Sequence, residues 1–236
     1  MRLRILVFAA LVAFAVFAGC SYLPDSSSLN PADVTVHEHR NYIEVVPSTG
    51  VYGSVGLMFI PGGLVDPHAY IHALGLVAEQ GSGFAIVIPK EPANLAVLNP
   101  SQVTSLTGVV PGVSRWVVGG HSLGGVMACT VVNKNRNLFV GLVLEAAYPA
   151  GTDNLSDWGK PVLSISGSLD GLATPADITA ARPLLPPTTD YEVISGGIHS
   201  YFGSYGLQSG DGSPTISSDA QQSQVAALIG SFLGGL

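Results

Sequence analysis

The segment Trp116-Val117-Val118-Gly119-Gly120-His121-Ser122-Leu123-Gly124-Gly125 constrains the fold more than any other stretch of the chain. Its first half is an apolar, β-prone run, and its second half is G-x-S-x-G. Such a run meeting such a motif predicts a strand, a turn too sharp for a bulky neighbour, and then a helix. Gly120 and Gly124 give the turn its room, and Ser122 is left at the apex with its hydroxyl exposed. The next residues, Val126-Met127-Ala128-Cys129-Thr130-Val131-Val132, are apolar and free of helix breakers, as the helix requires. The motif is short enough to occur by chance. Its weight comes from two further residues.

The first is Asp170. Pro161-Val162-Leu163-Ser164-Ile165-Ser166-Gly167 reads as a buried strand between a proline and a glycine. Ser168-Leu169-Asp170-Gly171 is then a polar turn, and Thr174-Pro175 opens a helix with a capping residue and a proline in its first turn. Asp170 thus falls at the carboxyl end of a strand, the edge where open α/β sheets build their sites. Asp153 and Asp157 stand as alternative acids, because the loop after the preceding strand also offers carboxylates. The second is His199. Asp190–Ile194 alternates as a strand, and Ser195-Gly196-Gly197-Ile198-His199 follows as a loop. A histidine there can take the serine proton on one ring nitrogen while a carboxylate fixes the other.

The chain order Ser122, Asp170, His199 is that of α/β-hydrolases and not of chymotrypsin-like or subtilisin-like enzymes. On these residues the chain resembles the α/β-hydrolase superfamily over roughly Thr35 to Leu236, in the style of small single-domain bacterial members such as dienelactone-hydrolase-like proteins. Phe59-Ile60-Pro61-Gly62-Gly63-Leu64-Val65-Asp66-Pro67 and the segment from Gly196 through Gly212 also carry the resemblance. Relatives often have Asn before the histidine; here it is Ile198, a change expected to alter the hydrogen bonding of that loop.

The resemblance implies a serine hydrolase that cleaves a carboxylic ester through an acyl-enzyme, with Ser122, His199 and Asp170 as triad and no cofactor. It implies an oxyanion hole from the N–H groups of Leu123 and Gly63, with Leu64 the close alternative to Gly63. Fewer than about twenty residues separate Leu144 from Val162, too few for the helical lid that larger lipases insert there. The same triad supports thioester or amide cleavage, and a catalytically silent binding protein of this fold is the alternative from another class.

Composition agrees with a doubly wound, mostly parallel α/β sheet without a lid or cap domain. Hydrophobic residues make up 47% of the 236 and charged residues 11%, which suits a large core covered on both faces. Apolar runs at 57–60, 84–88, 116–118, 138–144 and 162–165 alternate with helical or mixed stretches. A first strand is expected over 35–46, and a closing helix over 218–233. Tyr201, Phe202 and Tyr205 either line the site or simply pack.

The N-terminus reads as an address. Arg2 and Arg4 precede the uncharged run from Ile5 to Phe17, and Ala18-Gly19-Cys20 follows. This predicts a secretory signal over residues 1–19 and resembles a bacterial lipobox with Cys20 as the lipidated residue. Residues 20–34 then form a flexible tether rich in Ser, Pro, Asp and Asn, and residues 35–236 the hydrolase domain. Removing residues 1–19 takes two arginines and no acid, so the net charge of -7 becomes -9. Such a charge excludes nucleic acid as a partner and leaves the N-terminal lipid as the membrane attachment. A small-molecule ester is the expected substrate. With Cys20 lipidated, Cys129 has no cysteine to pair with. His37, His39, His68 and His72 have pairable spacings, but no third ligand accompanies them, so no metal is expected.

Overall fold

The computed structural model describes residues 22–25 and 33–236. Cys20, the signal segment and most of the expected tether lie outside the described residues. The described residues form an eight-stranded sheet in the order β1-β2-β4-β3-β5-β6-β7-β8. The strands are β1 (Val34–Glu38), β2 (Tyr42–Pro47), β3 (Val55–Ile60), β4 (Ala85–Pro89), β5 (Arg115–His121), β6 (Phe139–Glu145), β7 (Val162–Gly167) and β8 (Asp190–Ile194). β2 pairs antiparallel with β1 and β4, and every pairing from β4 to β8 is parallel. The expected first strand over 35–46 is two strands. Polar His39-Arg40-Asn41 turns the chain between them, and Lys90 Nζ donates to the His39 carbonyl at 2.8 Å.

Burial on both faces explains the continuous apolar runs. Leu57 and Phe59 of β3 point into one core with Val117, Val143 and Ile165. Met58 and Ile60 point into the other with Val118, Leu142 and Leu144. Successive strand residues face opposite sides, so a strand covered twice must be apolar throughout. Helices α1 (Ile71–Ala78) and α5 (Ser218–Gly234) cover the first face through Leu74, Val77, Val225 and Ile229. Helix α3 (Leu123–Lys134) covers the second through Ala128, Val131 and Val132, with the short α2 (Gln102–Ser105) supplying Val103. Each fully buried Leu, Ile, Phe or Met contributes about 1.5–3 kcal/mol over an exposed one. Helix α4 (Pro175–Ala181) begins as its sequence predicts. The Thr174 hydroxyl accepts from Asp177 N–H, and the Asp177 carboxylate accepts from Thr174 N–H. Among the described residues no cap domain interrupts the sheet; residues 146–161 join β6 to β7 without a helix.

Candidate active site

β5 lies between β3 and β6, so its carboxyl end is central to the sheet edge. There Ser122 adopts φ 52 and ψ -124, a conformation that costs a non-glycine residue about 1–3 kcal/mol. Its N–H donates to the Glu145 carbonyl at 3.0 Å, and its carbonyl accepts from Val126 N–H at 3.1 Å. The apex is thereby fixed from both sides. Gly124 is obligatory: a Cβ there would sit 2.1 Å from the Ile60 carbonyl oxygen and 2.4 Å from that of Pro61. A Cβ on Gly120 would lie 2.6 Å from the Ile60 oxygen. The elbow works because β5, β3 and α3 approach with nothing between them.

Asp170 and His199 meet where the sequence predicts. His199 Nδ1 lies 2.9 Å from Asp170 Oδ2, and the residues are only 2% and 4% exposed. The other carboxylate oxygen, Oδ1, accepts from Leu172 N–H at 2.8 Å and Ala173 N–H at 2.7 Å. The acid is therefore held from behind, leaving one oxygen for the imidazole. Asp153 instead accepts from Thr130 Oγ1 at 2.6 Å and Asn133 Nδ2 at 3.2 Å, and Asp157 pairs with Arg136 at 2.6 Å. Both alternative acids serve α3 and its following turn. The His199 ring is 4.5 Å from that of His121, the neighbour of Ser122. Among the described residues the Ser122 hydroxyl makes no hydrogen bond. Catalytic hydrogen bonds of this kind are commonly loose until substrate is bound.

Gly63 and Leu64 differ in what their N–H groups do. Gly62 N–H donates to Tyr70 Oη at 2.9 Å, and Leu64 N–H donates to the Asn94 carbonyl at 2.8 Å. Gly63 N–H, between them, has no acceptor among the described residues, and neither has Leu123 N–H at the start of α3. The two residues touch: a Cβ on Gly63 would be 2.8 Å from Leu123 Cδ2. Leu123 N–H, at a helix N-terminus, and Gly63 N–H, on the loop facing its side chain, are both without an acceptor among the described residues, and such donors are the kind that an oxyanion needs.

Three supports were not legible as such in the sequence. Tyr70 Oη, which holds Gly62, is also 2.9 Å from His121 Nδ1. Burial, and then the nearby His199, hold the His121 imidazole well below its ordinary pKa, so it is neutral. Asp211 accepts from His199 N–H at 3.2 Å, Ser200 N–H at 2.7 Å, Ser200 Oγ at 2.6 Å, Gly171 N–H at 3.2 Å and Gly212 N–H at 2.7 Å. Burial raises its pKa, but these donors outweigh that and leave it below the usual carboxylate value. Asp211 thus joins the histidine loop to the acid loop. Gln221 of α5 accepts from Ile198 N–H at 2.9 Å and donates to its carbonyl at 2.8 Å, so a glutamine holds the backbone where relatives often carry Asn. The paired amides of Gln221 and Gln222 in an apolar helix are the sequence signal for such a role.

Phe202 and Tyr205 are buried and pack on His121 and Tyr70, while Tyr201 is half-buried. His39 stacks on Tyr42, and His68 is held between Asp66 and Glu38. A concavity of about 420 Å³ lined by Pro161, Leu163 and the end of α5 lies away from these residues and contains none of them.

The fold and site define the class. Residues 56–223 match the family model described as alpha/beta hydrolase family, and the chain belongs to that family. No curated protein sequence matches it. Among solved structures it is similar to a CIB-like hydrolase from Thermoplasma acidophilum, at TM-score 0.62 and 14% identity over 86% of this chain and 100% of that one. It is also similar to Est1E from Butyrivibrio proteoclasticus with ferulic acid bound, at TM-score 0.59 and 13% identity over 87% and 96%. A thermophilic esterase from Thermogutta terrifontis gives TM-score 0.56 and 14% identity over 87% and 98%.

Proposed function

We infer that the chain is a hydrolase of carboxylic esters working through Ser122, His199 and Asp170. The observation that carries this reading is the buried His199–Asp170 pair on the same sheet edge as a strained serine and two unspent N–H donors. With Nδ1 committed to Asp170, His199 Nε2 is the nitrogen left to take the Ser122 proton. Ser122 Oγ attacks the carbonyl carbon, and Gly63 and Leu123 N–H groups receive the oxyanion. Protonated His199 gives its proton to the departing alkoxide. Water, deprotonated by His199, then cleaves the acyl-enzyme and frees Ser122. The esterase structures that the fold resembles support the substrate class.

The same reading includes the address: residues 1–19 as a signal, and Cys20 as the lipid-bearing residue of an exported protein. A screen of esters and thioesters of matched acyl length tests the chemistry. Ester turnover that Ser122→Ala removes is the expected result; thioester cleavage alone would overturn the ester assignment.

A further inference from the structure

Residues Tyr22–Asp25 fall within the stretch expected to be a free tether, yet they dock on the catalytic loops. Tyr22 N–H donates to the Leu64 carbonyl at 2.8 Å, and Asp66 N–H donates to the Tyr22 carbonyl at 2.9 Å. Tyr22 thereby forms a parallel bridge with Val65. Asp25 N–H donates to the Ser204 carbonyl at 2.9 Å, and the Tyr22 and Tyr205 rings are 5.6 Å apart. The segment straps the oxyanion loop to the histidine loop. Cys20 precedes Tyr22 by two residues, which span at most about 7 Å of chain. Whatever anchors Cys20 therefore holds this edge of the sheet close to the anchor.

The surface of that edge has an unusual composition. Leu23, Val97, Leu98, Leu169, Leu172 and Leu207 are exposed, at 66%, 41%, 59%, 39%, 40% and 63%. All six lie on the strap or on segments leaving the carboxyl ends of β4, β7 and β8. The other exposed large apolar residues among those described, Val51, Leu138 and Val193, lie before β3, before β6 and on the edge strand β8. Isolated exposed leucines are ordinary, but their concentration around one functional edge is not. Charge is scarce there too. No Asp, Glu, Lys or Arg occurs between Pro92 and Ser114, and Asp211 alone occurs from Ser195 to Ser217. Asp170 and Asp211 are consumed by the loops, Asp66 pairs with His68, Lys90 pairs with Glu38, Glu91 is buried, Asp177 caps α4, and exposed Asp25 is the acid of the strap.

We propose that the sheet edge carrying Ser122 is a bilayer-docking face, and that the ester cleaved there is an acyl ester resident in the membrane. This rests on the esterase and anchor readings above. An apolar, nearly uncharged rim enters the interface of a neutral bilayer without desolvating charge, and a net-acidic chain gains nothing from anionic lipid. The anchor holds the rim against the interface, and the strap fixes which edge faces it.

The test uses the full chain in phosphatidylcholine vesicles whose acyl chains carry bromine. An environment-sensitive fluorophore is attached at L98C, at L207C, or at V51C on the opposite edge. Unsubstituted protein labelled in parallel gives the background from buried Cys129. Bromine quenching at positions 98 and 207 but not at 51 is expected. Equal quenching at all three, none at 98 and 207, or failure of the chain to float with vesicles overturns the proposal. A Leu98→Ser, Leu207→Ser double variant is expected to lose about tenfold on a vesicle-borne long-chain ester and nothing on a soluble short one. Equal turnover of the vesicle-borne ester would contradict it, as would a monomer-to-dimer change that accounts for burial of the leucines. Turnover of the soluble ester reports separately on Ser122, so failure of docking and failure of the esterase reading are distinguishable.

Discussion

At the residue scale, the two carboxylates closest in sequence role have opposite duties. Asp170 bonds His199 Nδ1 as the acid of the proposed triad, so Asp170→Asn keeps the shape and loses the charge; kcat is expected to fall by about 10⁴. Asp153→Asn removes an acceptor from Thr130 and Asn133 and is expected to cost about 1–3 kcal/mol of stability with near-normal turnover. Steady-state kinetics and denaturant melts on both proteins separate the roles, and the reverse pattern would move the acid to Asp153. Tyr70→Phe strands the Gly62 N–H and His121 Nδ1 and loosens the loop proposed to receive the oxyanion. Turnover is expected to drop about tenfold with KM little changed. Glu145, buried and paired in register with His121 across β5 and β6, has a pKa pushed up to about 8 by desolvation, against an ordinary 4.5. Between those values the folded state binds the proton and the unfolded state has lost it. The stabilisation is complete below pH 4.5 and is lost as pH rises through about 8, at on the order of 1 kcal/mol per pH unit. Glu145→Gln should flatten that limb in a pH series of melts.

At the element scale, the elbow was readable because its demands are local. A strand ending at His121 just past Gly120, a helix starting at Leu123 just before Gly124, and no room for a Cβ at either glycine admit few sequences. The capping box at Thr174 and Asp177 was readable for the same reason. The loops were not. Asp211 stood in the sequence as one acid in a glycine-rich tail, and only the fold brings Gly171 and Ser200 to it across 40 and 11 residues. Asp211→Asn turns a donor toward groups that need an acceptor. The expected result is a fall in activity of about tenfold or more with helix and sheet content intact by circular dichroism. Unchanged kcat would mean that the two loops hold their positions without it. The expected single strand over 35–46 failed for a related reason, since apolar content on both sides of His39 concealed a turn made of polar residues.

At the scale of the whole molecule, the doubly covered sheet follows from the apolar runs, because both cores require every residue of β3 and β4 to be buried. What composition could not give was direction: the net charge describes the chain, whereas six of the nine exposed large apolar residues among those described lie on the strap or on segments leaving the carboxyl ends of β4, β7 and β8. The strap at Tyr22–Asp25 was likewise hidden, since Ser, Pro and Asp suggest a free chain and backbone hydrogen bonds leave no trace in side-chain pattern. Among the described residues no helix is long and apolar enough to cross a membrane. The central claim concerns one hydroxyl. The measurement that tests it most directly is covalent labelling of the purified protein by a fluorophosphonate probe, beside Ser122→Ala and His199→Ala. Labelling of the parent chain that both substitutions abolish is the expected result. A folded parent chain that takes no label, or labelling that survives Ser122→Ala, would contradict the account.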